Sequence, residues 1–363
     1  MSTFFTRRSF LASAFGGFKP SEKTTAMERG LRFIYKTSRN KNAFAEWGPD
    51  YLWCFYTISA SAADPSLKAL AWKMGQDRAR LWLRQNPRLP QQLKTPGEVS
   101  YWVFASHSAN LLGVAVPPNK ESLRRAAAQF RPEQFLGFDP QKPIPHDQPK
   151  PCPKDKTLNA QGATSCAKCG TALRFEDPYD LLCDGIIAAY SGDSYGVTLG
   201  ATLPEVMSQI PGLRPYRGPI GKNDDGFSSI TYAITHIIYA LNDYGINRLR
   251  KEWLPAEFDF LVKHLPLNIE WNDPETLGEF MDTLKSFGLS GTDELIRAGE
   301  EFLLSRQNHD GSWGDPKEPD IYIRYHSTWT AVGGLMDFAL QKEGVSFPEA
   351  LNRAAPSRAS SKP

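Results

Sequence analysis

Apolar residues recur at three- and four-residue spacing along most of the chain, the periodicity of helices that bury one face. The spacing predicts helices over Thr24–Tyr35, Asp50–Ala62, Pro65–Gln85, Pro96–Leu112 and Lys120–Phe130. It predicts a second series over Asp177–Tyr190, Pro204–Gln209, Gly226–Asn242, Pro255–His264, Pro274–Phe287, Thr292–Arg306 and Ile321–Gln341. Few stretches alternate in the manner of strands. Gly226–Asn242 and Ile321–Ala339 are apolar on nearly every side, whereas Pro274–Phe287 and Thr292–Arg306 are amphipathic. A helix that is apolar all round must be covered on all sides by protein. The pattern therefore predicts an all-α fold. Its expected form is an α/α toroid of about a dozen helices in two concentric layers, with the amphipathic ones outside.

The periodicity fails over residues 135–175, where Pro, Lys, Asp and Cys dominate and an irregular insertion is expected. This insertion separates a first helical part, 24–134, from a second, 176–345. Before them, residues 1–23 contain Thr6-Arg7-Arg8-Ser9-Phe10-Leu11 and then Ala12–Phe18, paired arginines followed by a weakly apolar stretch. That resembles a twin-arginine export signal and implies a periplasmic destination; a basic cytoplasmic arm is the alternative. Residues 346–363 are small, basic and Pro/Ser-rich, a composition that does not fold alone.

Charge narrows the partners. Among 363 residues, 42 Lys and Arg face 40 Asp and Glu, a net charge of +2 that gives no electrostatic case for nucleic acid. No run reaches the ~20 apolar residues that a membrane-spanning helix needs. Aromatic residues make up 12% of the chain, enough to line an apolar cavity for a small-molecule substrate as well as a core.

The most specific stretch is Gln307-Asn308-His309-Asp310-Gly311-Ser312-Trp313-Gly314, directly after a helical segment. It resembles the glutamine–tryptophan repeat of the terpenoid cyclase and protein prenyltransferase superfamily, with Gln307, Gly311 and Trp313 at the signature positions. Tyr325-His326-Ser327-Thr328-Trp329 is similar to the start of the inner helix that follows such a repeat. The resemblance is clearest over residues 291–341 and implies the toroid fold more than any one reaction. Physically, the Gln307 amide can tie a helix C-terminus to the next helix, Gly311 suits a turn, and Trp313 can stack over the junction. Asp310 and Asp315 read as loop caps, and Asn223-Asp224-Asp225-Gly226 as a helix N-cap.

Polar residues on the all-apolar helices need a reason. Tyr232, His236, Tyr239 and Asp243 share one helical face, as do Tyr322, His326 and Trp329. On a third helix Asp184 follows Cys183 and faces with Asp180. His236 and His326 are the candidate acid and base, with Asp184 or Asp243 to orient them. Tyr232, Tyr239, Tyr322, Tyr325 and Trp329 are expected to shape the substrate site, with His107 a further inward-pointing candidate; Gly192–Gly196 is expected to form a rim loop.

Five cysteines remain: Cys54, Cys152, Cys166, Cys169 and Cys183. Cys54, between Trp53 and Phe55, reads as packing. Cys166-Ala167-Lys168-Cys169-Gly170 has the shape of a zinc-ribbon half-site, and Cys152 offers a third thiolate. Cys183 or His146 would complete a structural Zn2+ site; disulfides and free thiols stay open. The expected function is an exported toroid enzyme of lyase, isomerase or cyclase type, using His/Asp acid–base chemistry on a small, largely apolar substrate. A carbohydrate-active toroid with Asp184 and Asp243 as its acidic pair, or a non-catalytic binding toroid, are the alternatives.

Overall fold

A computed structural model describes residues 20–117, 120–340 and 342–343. The signal-like segment before Pro20 and the tail 346–363 lie outside the described residues. What is described is all-α. The helices are α1 (Pro20–Thr37), α2 (Lys41–Ser61), α3 (Pro65–Gln85), α4 (Pro96–Leu111), α5 (Lys120–Ala127), α6 (Pro132–Leu136) and α7 (Pro178–Tyr195). They continue with α8 (Leu203–Met207), α9 (Ile210–Leu213), α10 (Asp225–Asn242), α11 (Pro255–Glu270), α12 (Pro274–Ser286), α13 (Glu294–Arg306) and α14 (Ile321–Leu335). Two two-residue strands, Asn247–Arg248 and Lys342–Glu343, pair in parallel. No described helix is long and apolar enough to cross a membrane.

Helix starts follow the capping chemistry of the sequence. The side chains of Asn40, Asp64, Asp177, Asp224, Asp273 and Asp320 each accept backbone N–H groups of the first turn. Thr95 and Glu98 form a full capping box before α4. Asp224 thus caps a helix, as its sequence context implied. Several boundaries differ from the periodic reading. α2 starts nine residues earlier than expected and bends at Trp47 (φ −112°, ψ 17°), where Pro49 removes a ladder donor. α7 runs through Gly192–Tyr195, so the expected rim loop is its last turn, ended by Gly196 in the left-handed region.

Six helices pack in a closed circuit: α2 on α4, α4 on α7, α7 on α10, α10 on α12, α12 on α14, and α14 back on α2. α1, α3, α11 and α13 lie against members of that circuit. α12 corrects one expectation. Its sequence is amphipathic, yet it belongs to the circuit, and Glu279, Thr283, Lys285 and Ser286 are buried beside Leu277 and Phe280. It meets α14 closely because Gly278 and Gly334 leave no side chain between the backbones.

The glutamine–tryptophan segment performs a structural task, but joins different elements from those expected. Gln307 Nε2 donates to Ala26 O (2.8 Å) and Gly311 O (3.0 Å), while its Oε1 accepts from Arg29 Nη1 (2.9 Å). The amide therefore ties the end of α13 back to α1, not forward to α14. Gly311 (φ 92°) sits where any Cβ would lie 2.6 Å from Arg29 O. Trp313 is fully buried and donates Nε1–H to Leu303 O (2.7 Å). Asp310 and Asp315 accept nearby backbone N–H groups, the capping role read from sequence. Trp313→Ala is expected to cost about 3–5 kcal/mol, from lost burial, a residual cavity and an orphaned carbonyl. Urea unfolding followed by circular dichroism checks this; a loss below about 1 kcal/mol contradicts it.

Candidate functional site

The helical circuit surrounds a cavity of about 160 Å3. Every helix of the circuit contributes to its wall. α2 supplies Asp50, Trp53 and Thr57; α4 Phe104; α7 Ile187 and Ser191. α10 supplies His236 and Tyr239, α12 Glu279 and Asp282, and α14 Tyr322, His326 and Trp329. A second hollow of about 350 Å3 shares Asp50, Phe104, Ile187, Ser191 and Tyr322 with it and adds Trp47, Tyr101, Asp184 and Leu199. Exposed Glu46 and Gly97 bring that hollow to the surface, so it forms a vestibule.

The two cavity histidines have opposite surroundings. His326 Nδ1 lies 2.9 Å from Glu275 Oε1, and Glu275 also accepts from Tyr232 Oη (2.8 Å) and Ser327 Oγ (2.6 Å). Burial disfavours the imidazolium, but the Glu275 hydrogen bond and charge outweigh it and lift His326 to about 9. Glu275, with burial opposing and the His326, Ser327 and Tyr232 contacts favouring ionisation, falls to about 2. His236 Nδ1 lies 2.8 Å from Tyr232 O, the carbonyl one turn back on its own helix. The carbonyl can only accept, so Nδ1 carries the proton and Nε2 keeps its lone pair. Burial, with no carboxylate partner, lowers His236 to about 4. At neutral pH one imidazole is charged and its neighbour is not.

Three more carboxyl groups face the cavity. Glu279 is raised to about 7 by burial although Thr235 donates to it (2.8 Å). Asp282 is raised to about 7, again chiefly by burial, and its Oδ1 has no hydrogen-bond partner. Asp50 is raised by burial and accepts from Tyr325 Oη.

The expected site residues fall into three groups. His236, His326, Tyr239, Tyr322 and Trp329 line the cavity. Tyr232 and Tyr325 stand behind the wall, each holding a carboxylate there, Glu275 and Asp50 respectively. Asp184 is in the vestibule, where burial and nearby carboxylates raise it to about 6. Asp243 and His107 do not reach the cavity. Asp243 is the left-handed C-cap of α10 and accepts from Tyr190 Oη, while His107 packs against the rings of Trp53 and Tyr195. The carboxylate that orients a histidine is Glu275, not Asp184 or Asp243. Asp50, Glu275, Glu279 and Asp282 were missed. The last three stand at four- and three-residue spacing on α12, a stripe that reads as a solvated face when the helix is placed outside.

A separate cluster lies in the insertion. Cys152, Asp155, Cys166 and Cys169 bring four ligand atoms within 4.8 Å of one another and could hold a metal ion. Two copies of one turn build it. Cys152 N–H donates to Thr157 O (3.0 Å) and Lys156 N–H to Cys152 O (2.8 Å). Cys166 N–H donates to Thr171 O (2.8 Å) and Gly170 N–H to Cys166 O (2.8 Å), the same pattern fourteen residues on. Lys156 (φ 59°) occupies the left-handed position that Gly170 (φ 70°) takes in the second copy. The second half-site is therefore Cys152-Pro153-Lys154-Asp155, with a carboxylate where the first has a thiolate. Cys183 is not a member: it is buried on α7, its Sγ 3.8 Å from Tyr232 O. His146 is not one either. All five cysteines are free, and Cys54 is fully buried packing.

No family model and no curated protein matches this chain.

Proposed function

We propose that this protein is an α/α-toroid enzyme, of the terpenoid-cyclase-like architecture suggested by its glutamine–tryptophan segment, that performs acid–base chemistry in its central cavity. The reaction is of lyase, isomerase or cyclase type, and the substrate is small and largely apolar. One observation carries the reading: of two histidines in the same cavity wall, His326 is paired with a carboxylate and its proton affinity is raised, while His236 is buried without one and its proton affinity is lowered. His326, held by Glu275 at Nδ1, presents Nε2–H as the general acid. His236, its Nδ1–H committed to Tyr232 O, presents the Nε2 lone pair as the base. Glu279, raised by burial to about 7, stands in the same wall. Aromatic walls from Trp53, Tyr239, Tyr322 and Trp329 exclude water and fit an apolar substrate.

The carbohydrate-active alternative loses its acidic pair, because Asp243 is turned away to Tyr190. We assign zinc to the Cys152–Asp155–Cys166–Cys169 cluster as a structural ion, since thiolate-rich tetrahedral sets suit it. The paired arginines before α1 support delivery to the periplasm by the twin-arginine route, which carries folded proteins.

His236→Gln and His326→Gln test the catalytic reading. Once turnover of a small apolar alkene or alcohol is detected by gas chromatography, each variant should lower kcat by about 10²–10⁴-fold. The expected melting temperatures stay within a few degrees of the parent for His236→Gln. Undiminished turnover in either variant removes that residue from the mechanism.

A further inference from the structure

We propose that the cavity and vestibule bind an amphiphilic organic cation, a primary ammonium head on an apolar tail, with the head at Asp282 and Glu279 and the tail in the vestibule. The proposal rests on the reading of the cavity as a substrate site and names the class of molecule that fits it.

The cavity wall carries three carboxyl groups, from Asp50, Glu279 and Asp282, and no lysine or arginine. Its one cation, His326, already has Glu275 as partner. Glu279 and Asp50 feel the His326 charge without an ion pair to it, and Asp282 feels only Lys285, which lies outside the wall, so acids outnumber cations there. Asp282 is the sharpest case: Oδ1 is shut off from solvent and accepts no hydrogen bond. A buried acceptor left without a donor is costly, and a ligand that brings donors relieves the cost. An ammonium brings three. Gly333 on α14 approaches the Asp282 carboxylate closely, and a Cβ there would lie 2.8 Å from Oδ2 and crowd it. Tyr239 and Trp329 stand in the same wall, and aromatic rings beside the head favour a cation over a neutral group.

The vestibule supplies the other half of the ligand. Its wall includes Trp47, Tyr101, Phe104, Ile187, Ala188 and Leu199, alongside the carboxyl groups of Glu46, Asp50 and Asp184. A hydrophilic metabolite would leave these side chains without complementary contact, whereas an alkyl chain removes them from water. An anionic head is excluded by the same acids that hold the cation.

Three probes of one tail length decide the matter: octylamine, octanol and octanoate, titrated into the full-length protein at pH 7.5 by calorimetry and tryptophan fluorescence. Octylammonium is expected to bind at least tenfold more tightly than octanol, with octanoate weaker still. Asp282→Asn should reduce octylammonium affinity at least tenfold and leave octanol unchanged, and Gly333→Ala should weaken octylammonium as well. Equal or tighter binding of octanol or octanoate overturns the proposal, as does an unchanged octylammonium affinity in Asp282→Asn. Absence of binding by all three also overturns it, and does so without reference to folding of any variant. If the ammonium ranking fails while the histidine variants still lose turnover, the cavity reading stands and only the ligand class falls.

Discussion

Cys169→Ser is expected to release the metal and to free residues 147–176 for proteolysis, while the helical body keeps its melting transition. Apart from turn hydrogen bonds and the Lys150–Glu176 ion pair, the insertion has little apolar core of its own. Its described regular contacts are two isolated bridges, Pro149 with Phe175 and Ser165 with Ala172, and the buried cysteines Cys152 and Cys166 are its own small centre. Binding energy at such a site is folding energy for the segment around it, on the order of 10 kcal/mol for structural zinc near pH 7. Removing one of three thiolates leaves two thiolates and a carboxylate, a far poorer zinc set. Native mass spectrometry should show one zinc per parent chain and none in the variant, and trypsin should cut the variant at Lys154, Lys156 or Lys168. Asp155→Cys runs the other way: a second complete C-x-x-C should tighten binding measured by competition with a chromogenic chelator. A parent protein that carries no metal after purification without chelator, or a Cys169→Ser variant as protease-resistant as the parent, contradicts the assignment.

Glu275→Ala is expected to destabilise the fold by about 3–5 kcal/mol, the usual consequence of leaving one partner of a buried pair uncompensated. Three donors lose their acceptor at once: His326 Nδ1, Tyr232 Oη and Ser327 Oγ. Without the Glu275 carboxylate, burial acts on His326 against only the weaker pull of Glu279 and Asp50, so its proton affinity should fall from about 9. Side-chain NMR titration reads that change directly.

The same pair sets how stability varies with pH. His326 is raised in the folded state, so its contribution is complete below 6.5 and disappears as pH rises through about 9. Glu275 is depressed, so its contribution is present above 4.5 and disappears as pH falls through about 2. Glu279 and Asp282, raised to about 7, lose stability as pH climbs from their usual range to that value. Above 6.5 every one of these effects has the same sign or is finished. Unfolding free energy from denaturant titrations should therefore decline from pH 6.5 to 9, by roughly 3 kcal/mol from His326 alone. His326→Gln should flatten that decline; an equally steep curve in the variant assigns it elsewhere.

Much of the fold was legible because helix periodicity and caps are local. Asp64-Pro65 and the Asp224 cap act within a few residues of themselves, whereas the bond from Gln307 to α1 does not, and its partner was not legible. Cavity residues on α10 and α14 were legible for a related reason: a polar side chain on an otherwise apolar helix is conspicuous. α12 hid its chemistry by looking ordinary. Glu275, Glu279 and Asp282 form the stripe that any solvated helix carries, and only the neighbours Tyr232, Thr235 and His326, from 40 to 50 residues away, give them an interior. Asp155 was hidden by type rather than by distance. A carboxylate in place of a thiolate, and Lys156 in place of glycine, conceal a half-site whose backbone hydrogen bonds match those of its twin.

The bond from Gln307 to α1 has a bearing on biosynthesis. Lys23 meets Glu300, Gln307 meets Ala26, and α1 lies on α14, so elements nearly 300 residues apart are neighbours. α1 can meet α2 and α3 early in synthesis, but α13 and α14 must appear before the rest of this first described helix is covered. Until then, the uncovered part of that helix is available to chaperones, and a ribosome stalled before Gln307 would hold an unlatched, degradable intermediate.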